Sequence, residues 1–249
     1  MGGLVTLLTD FGHSDPYVGI VHGAILRRSP NTRIVDLCHH VPAFDIATGA
    51  FFLAAARDRF PDETVHVGVV DPGVGSDRAI LAVSAHGCTW VGPDNGLLDE
   101  VVRSDQRAVV REVDAHGVGL PAESATFHGR DIFGPLGAML AGGRIQFADL
   151  GPIRDAHVCE LDPTPRVLFA DHFGNLVTSV ESGAIGAGAN GLVVAGSTFP
   201  LCRTYADVAI GEPLALVNSY GLLEIAVREG NAAEGLAVGP GDRVGFATE

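Results

Sequence analysis

Acidic residues stand at the ends of three apolar runs in the first third of the chain, and their types suit ligand binding. Asp10 follows the run 4–8, Asp36 with His39 and His40 closes the run 33–37, and Asp71 follows the run 64–70. One Asp in such a place commonly forms a helix cap or an Asx-turn. Three on successive strands make a polar edge, and open α/β sheets bind ligands at the carboxyl ends of their strands. Carboxylates and imidazoles also ligate divalent metals, so Asp10, Asp36, His39, His40 and Asp71 leave metal-assisted hydrolysis open. The stretch Asp71-Pro72-Gly73-Val74-Gly75-Ser76-Asp77-Arg78 has glycines like a phosphate loop but lacks its Gly-Lys-Ser/Thr ending and spacing, which excludes that reading. The Asp and Arg that bracket it can instead fold back on one another. Phe127-His128-Gly129-Arg130-Asp131 sets a ring, a base and charges beside a glycine through which a ligand could approach closely. Further on, Asp171-His172-Phe173-Gly174-Asn175 combines a carboxylate, an aromatic face and an amide, enough to stack on and hydrogen-bond a purine. Asn218-Ser219-Tyr220-Gly221 is a second polar turn. A plain turn accounts for either one taken alone.

These residues need elements to position them. Tyr17, Ile20, Val21, Ala24 and Ile25 recur at the spacing of an amphipathic helix that stops before Pro30. The stretch 45–60 reads as a second, Ala-rich helix between the strands 33–37 and 64–70. Strands alternating with helices at these lengths predict an α/β domain with a buried, mostly parallel sheet. Runs 79–84 and 88–91 flank Ala85-His86-Gly87 as a hairpin. A helix is predicted through Leu97, Leu98 and Val101, and another from 131 to about 140. The segment 151–165 contains three prolines and no periodicity. It divides a predicted α/β domain over 1–155 from a smaller all-β, barrel-like domain over 164–249. The short alternating runs 167–170, 176–180, 191–195, 214–217, 222–227 and 243–246 carry that second prediction.

Composition narrows the function classes. Hydrophobic residues make up 47% of the 249 and charged residues 18%, which excludes a disordered chain. The charge sum, 16 − 30 = −14, opposes binding to nucleic acid and to anionic membrane surfaces. No run approaches 18 uninterrupted apolar residues, and residues 1–12 lack the pattern of a signal peptide. Cys38, Cys88, Cys159 and Cys202 are scattered without metal spacing, so free thiols in a reducing cytoplasm are expected.

In chain order, TDFG (9–12), DxxHHVPxFD (36–45), FPxxTVHVxVVDPGVGxxR (60–78), VGPDNGLL (91–98), FHGRDxFxP (127–135), DHFGN (171–175) and NSYGLLEIA (218–226) resemble one family. It is the S-adenosyl-L-methionine hydroxide adenosyltransferases, relatives of the S-adenosylmethionine fluorinase and chlorinase. The resemblance implies hydrolysis of S-adenosylmethionine to adenosine and methionine without metal or cofactor. It also implies a homotrimer with active sites between neighbouring subunits. Asp71, Arg78 and His128 fall on its water-activating set, with Arg78 supplying positive charge, Asp71 orienting Arg78 and the water, and His128 accepting the proton. Asp10 falls on the ribose-diol ligand and Phe44 on the ring beside the sugar, while Phe173, Asn175 and Tyr205 fall on the adenine pocket. Asp171 resembles the partner of the methionine ammonium and Ser219 that of its carboxylate. Phe127, Gly129 and Ala232 complete the substrate-binding set. The chain departs from the halogenating relatives at three places. Tyr220 stands where they carry Arg, and Asp71 and His128 stand where they carry Tyr. Water is therefore the expected nucleophile. The alternatives are a chlorinase-like halogenase, a metal-dependent hydrolase, and a nucleoside-binding protein without turnover.

Overall fold

The computed structural model describes residues 3–120, 123–155 and 159–248. The chain divides into two compact units, Met1–Leu161 and Asp162–Glu249. The first is built on β1 (Leu4–Thr9), β2 (Arg33–Cys38), β3 (Val65–Val69), β4 (Ile80–Ala85), β5 (Cys88–Pro93), β6 (Val109–Glu112) and β7 (Ile153–Arg154). Its helices are α1 (Tyr17–Arg28), α2 (Ile46–Ala54), α3 (Asp99–Arg103) and α4 (Gly134–Ala141).

The seven strands form one sheet in the order β2-β1-β3-β5-β4-β6-β7. Helical crossovers carry the chain from β1 to β2 and from β2 to β3, so β1 pairs in parallel with both, and β3 pairs in parallel with β5. From there the sheet turns antiparallel, so it is mixed and not mostly parallel. The cause is local. His86 and Gly87 alone join β4 to β5, at φ of 53° and 70°, and a two-residue link of this kind admits only a hairpin. The strands β6 and β7 have no counterpart in the sequence prediction, because four and two residues are too few to display a period.

Helices cover both faces of the sheet, which is why all five residues of β3 are buried. On one side Leu8, Leu53, Val70, Trp90 and Leu97 pack together, and on the other Val5, Val21, Ile25, Val67, Phe133 and Leu136. Gly137 permits that second contact, since a Cβ there would lie 2.6 Å from Val67 Cγ2. The helix α1 buries Val18, Val21 and Ile25. Tyr17 and Ile20, assigned by spacing to the same stripe, are exposed. The predicted helix 45–60 ends at Ala54, and the one predicted from 131 begins as a π-turn over Gly129–Phe133.

The second unit is all-β apart from short turns of helix. Its strands are β8 (Val167–Ala170), β9 (Leu176–Glu181), β10 (Ala189–Val194), β11 (Ser197–Pro200), β12 (Pro213–Val217), β13 (Leu222–Val227) and β14 (Val244–Thr248), with α5 (Ala232–Gly235) after β13. They form two antiparallel sheets, β12-β13-β9-β8 and β11-β10-β14, around a core that includes Leu176, Leu192, Phe199, Leu223 and Ile225. Isolated bridges link Leu201 to Ala215 and Arg166 to Arg243. Among the described residues no helix is long and apolar enough to cross a membrane.

Candidate active site

Asp10 leaves the carboxyl end of β1, and its Oδ2 accepts the Phe44 backbone N–H at 3.0 Å. Phe44 has a φ of 67° and is 70% exposed. A left-handed backbone at a bulky residue costs about 1–3 kcal/mol and persists only where the surroundings impose it. Asp45 helps to impose it by capping α2, its carboxylate accepting the Thr48 N–H at 3.0 Å and the Thr48 hydroxyl at 2.6 Å. An exposed ring held in this way is a feature of binding sites.

Asp71 follows β3. Asn95 of the VGPDNGLL block supports the strand end by donating its amide to the Val70 carbonyl at 2.9 Å. The loop then turns tightly at Gly75, where φ is +81° and a Cβ would meet the Ala125 carbonyl at 2.4 Å. The turn returns Arg78 to Asp71. Arg78 Nε donates to Oδ1 at 2.9 Å and to Oδ2 at 3.0 Å, and Nη2 also bonds Oδ2. Both side chains are less than a tenth exposed, and the guanidinium lies 5.3 Å over the Phe133 ring. Nη2 makes a further bond, to His128 Nδ1 at 2.9 Å.

That last contact fixes a proton. Guanidinium has donors and no acceptor, so Nδ1 must offer its lone pair and the neutral ring carries its hydrogen on Nε2. Burial first, and then the Arg78 charge, hold the His128 pKa below the ordinary histidine value, with Asp71 and Asp131 opposing. His128 is therefore neutral at pH 7. As arranged here, the proton-accepting role expected of it meets an occupied lone pair.

Asp10, Phe44, Asp71, Phe127, His128 and Gly129 line one cleft of about 580 Å³. Sequence reasoning missed part of its wall. Phe11 and Tyr17 meet each other and the expected Phe127 edge to face with centroids 5.4–6.1 Å apart, and Ala43, Val69, Val74, Ser124, Thr126 and Arg130 complete the lining. The signal for Phe11 lay inside TDFG, whereas Tyr17 was indistinguishable from a core position of α1. On its Cβ side Gly129 is packed by rings, since a Cβ would lie 3.3 Å from Phe11 and 3.5 Å from Phe127.

In the second unit Asp171 organises its own turn. It accepts the N–H groups of Phe173 and Asn175 at 2.9 and 2.8 Å and the Asn175 amide at 3.1 Å, leaving Phe173 73% exposed. The Ala233 N–H donates to the Gly174 carbonyl at 3.0 Å, which ties α5 and its buried Ala232 to this turn. The Tyr205 hydroxyl donates to the buried Glu224, which sequence reasoning did not single out. Burial, Glu224 and the Asp171 charge raise the Tyr205 pKa well above the ordinary phenol value, so Tyr205 remains a neutral donor. Ser219 is exposed in the hairpin turn between β12 and β13, where Asn218 Oδ1 accepts the Tyr220 and Leu222 N–H groups.

Among the described residues, one group brings three possible metal-ligand atoms together, and it is His22, Asp36 and His39. Asp10, His40 and Asp71 are not part of it, so the five-residue ligand set of a metal-dependent hydrolase is not assembled.

Residues 5–151 match the family model described as the SAM hydroxide adenosyltransferase N-terminal domain, and residues 165–245 match that of the C-terminal domain. The (R)-S-adenosyl-L-methionine hydrolase of Salinispora tropica is 38% identical over 96% of this chain and 96% of its own length. That of Thermus thermophilus is also 38% identical, over 95% of this chain and 96% of its own. A fluorinase of Actinopolyspora mzabensis is 25% identical over 90% of each. The crystal structure of an uncharacterized conserved protein from Thermotoga maritima superimposes with a TM-score of 0.87 at 31% identity, covering 98% of this chain and all of that one.

Proposed function

Since this chain belongs to the SAM hydroxide adenosyltransferase family, we infer that it hydrolyses S-adenosyl-L-methionine to adenosine and L-methionine. The observation that carries the chemistry is the Asp71–Arg78–His128 unit, whose Asp71 and His128 open onto an aromatic-walled cleft.

The sulfonium is already a good leaving group. As the C5′–O bond forms, the C5′–S bond breaks and its electron pair goes to sulfur, releasing the neutral thioether. No general acid is needed, and the difficulty lies with water. Its pKa of ~15.7 stands about 9 units above that of histidine, so proton transfer before attack would cost roughly 12 kcal/mol. Burial, and after it the Arg78 charge, widen that gap by holding the His128 pKa down. The proton therefore leaves as the C–O bond forms, when the oxygen has become strongly acidic. The Asp71 carboxylate is its acceptor, and His128 Nε2–H holds the water oxygen by donating to it. Arg78 anchors both residues, and placing water in line behind C5′ supplies much of the remaining acceleration.

In this reading Asp10 receives the ribose hydroxyls, and Phe44, Phe127 and Gly129 flank the sugar. Phe173, Asn175, Tyr205 and Ala232 take the adenine, while Asp171 and Ser219 take the methionine ammonium and carboxylate. The exposed rings of Phe44 and Phe173 fit surfaces that a neighbouring subunit completes, and we place the active sites of a homotrimer there. The bridges Leu201–Ala215 and Arg166–Arg243 support a barrel-like C-terminal domain.

Incubation with S-adenosylmethionine in ¹⁸O-enriched water should yield adenosine with ¹⁸O at O5′ and unlabelled methionine in equal amounts. Adenosine without label, or no turnover over hours, would refute the assignment. The donor role of His128 has its own test. His128→Gln, whose amide N–H can replace Nε2–H, should stay within about tenfold of wild-type turnover, whereas His128→Ala should lose about 100-fold. Equal losses would point to a proton acceptor instead. For the wild-type protein the acid limb of kcat/KM should lie below the ordinary histidine range, because burial and the Arg78 charge hold the His128 pKa down and protonating Nδ1 removes the Arg78 bond.

A further inference from the structure

The helix α1 presents His22 toward the outer face of β2, where Asp36 Oδ1 lies 2.9 Å from His22 Nε2. The same oxygen is 3.0 Å from His39 Nε2, and the three atoms all lie within 4.8 Å of one another. His39 is 1% exposed. Its Nε2 faces the Asp36 carboxylate at ion-pair distance. Two imidazole nitrogens thus converge on one carboxylate oxygen.

We propose that His22, Asp36 and His39 form a binding site for a divalent transition-metal ion of the Zn²⁺ type. Two imidazoles and a carboxylate favour such an ion over Ca²⁺ or Mg²⁺, which take mainly oxygen ligands. Ligand bonds of about 2.0–2.1 Å at tetrahedral angles separate the ligand atoms by roughly 3.3 Å. The two short separations therefore need to open by a few tenths of an ångström, while the two histidine nitrogens, within 4.8 Å of one another, close toward that distance. The second shell is in place. His39 Nδ1 is 2.8 Å from Thr9 Oγ1, which orients the ring as metal-bound histidines require. Asp36 and His22 are each about a third exposed, which opens a path for the ion. His13 lies with its ring 5.1 Å from that of His39, and it or water would fill the fourth position.

The site is distinct from the hydrolytic unit but touches the same loop, because the Gly12 N–H donates to the His39 carbonyl at 2.7 Å. A bound ion would clamp α1 and β2 around the segment that carries Asp10, in a structural role.

Untagged protein, stripped with chelator and dialysed, is to be titrated with Zn²⁺ alone by calorimetry and with Co²⁺ alone by visible absorption. One equivalent of Zn²⁺ should bind, Co²⁺ should give the intense visible bands of a tetrahedral site, and saturating Zn²⁺ should raise Tm by about 5 °C or more. His22→Gln and Asp36→Asn, checked for folding by circular dichroism, should each weaken binding at least tenfold. His116→Ala, at an exposed histidine outside the cluster, should bind like wild type. The proposal fails if the wild type shows no saturable Zn²⁺ binding, or if both cluster variants keep its affinity and Co²⁺ spectrum.

Discussion

Replacing Arg78 with Met should lower turnover of S-adenosylmethionine by about 10³-fold and destabilise the fold by roughly 3–5 kcal/mol. The two effects have one origin. Asp71 and Arg78 are 5% and 9% exposed, so losing the guanidinium leaves a carboxylate in a site built to hold it paired. Met fills most of the aliphatic volume and keeps contact with Phe133, which leaves charge as the principal change. The double variant Asp71→Asn with Arg78→Met removes the stranded charge, and it should recover most of the stability while remaining inactive. Arg78→Lys should not restore activity, because one ammonium cannot reproduce the fork that bonds Asp71 with Nε and Nη2 and reaches His128 with Nη2. Urea unfolding measured beside turnover separates the parts. A single variant as stable as wild type would show that the Asp71 carboxylate does not depend on the guanidinium for its stability.

In molar chloride the product should still be adenosine, with no significant 5′-chloro-5′-deoxyadenosine. A chloride about 4 Å from the Asp71 carboxylate would be repelled by roughly 4 kcal/mol at an effective dielectric of 20, close to a thousandfold in occupancy. Water avoids that penalty and can donate to the same oxygen. Arg78 offsets only part of the repulsion, because its Nε and Nη2 are directed onto Asp71 and His128. On the side where a Cβ would stand, Gly129 also meets the Phe11 and Phe127 rings, which narrows the space open to a halide there. The reaction is to be run with and without chloride and the nucleosides separated by mass. Chlorinated nucleoside as a major product of the wild-type protein would overturn the claim that Asp71 selects water. Its appearance only in Asp71→Asn would support it.

Much of the architecture was legible from the residues alone, because its determinants are local. The alternation of apolar runs with helical spacing up to Val70 encodes the parallel half of the sheet. The link His86-Gly87 encodes the hairpin that reverses it. Asp71 and Arg78 are seven residues apart around a Gly-containing turn, so their meeting needed nothing distant. The seven ordered motifs carried the family, since each preserves residue types at fixed short spacing.

Other features depended on which segments the fold brings together. His128 lies 50 residues beyond Arg78, and only the packing of the 129–133 turn against β3 sets it under the guanidinium and so decides which ring nitrogen holds the proton. Tyr17 was one of five residues on a helical stripe until the sheet edge turned it toward the cleft. His22 was an ordinary helix residue until β2 brought Asp36 within 2.9 Å of it. Local propensity acts over a few residues, whereas a proton's position or a ligand set depends on distances of a few ångströms between segments far apart in the chain. Those distances are set by burial of the two apolar faces of the sheet.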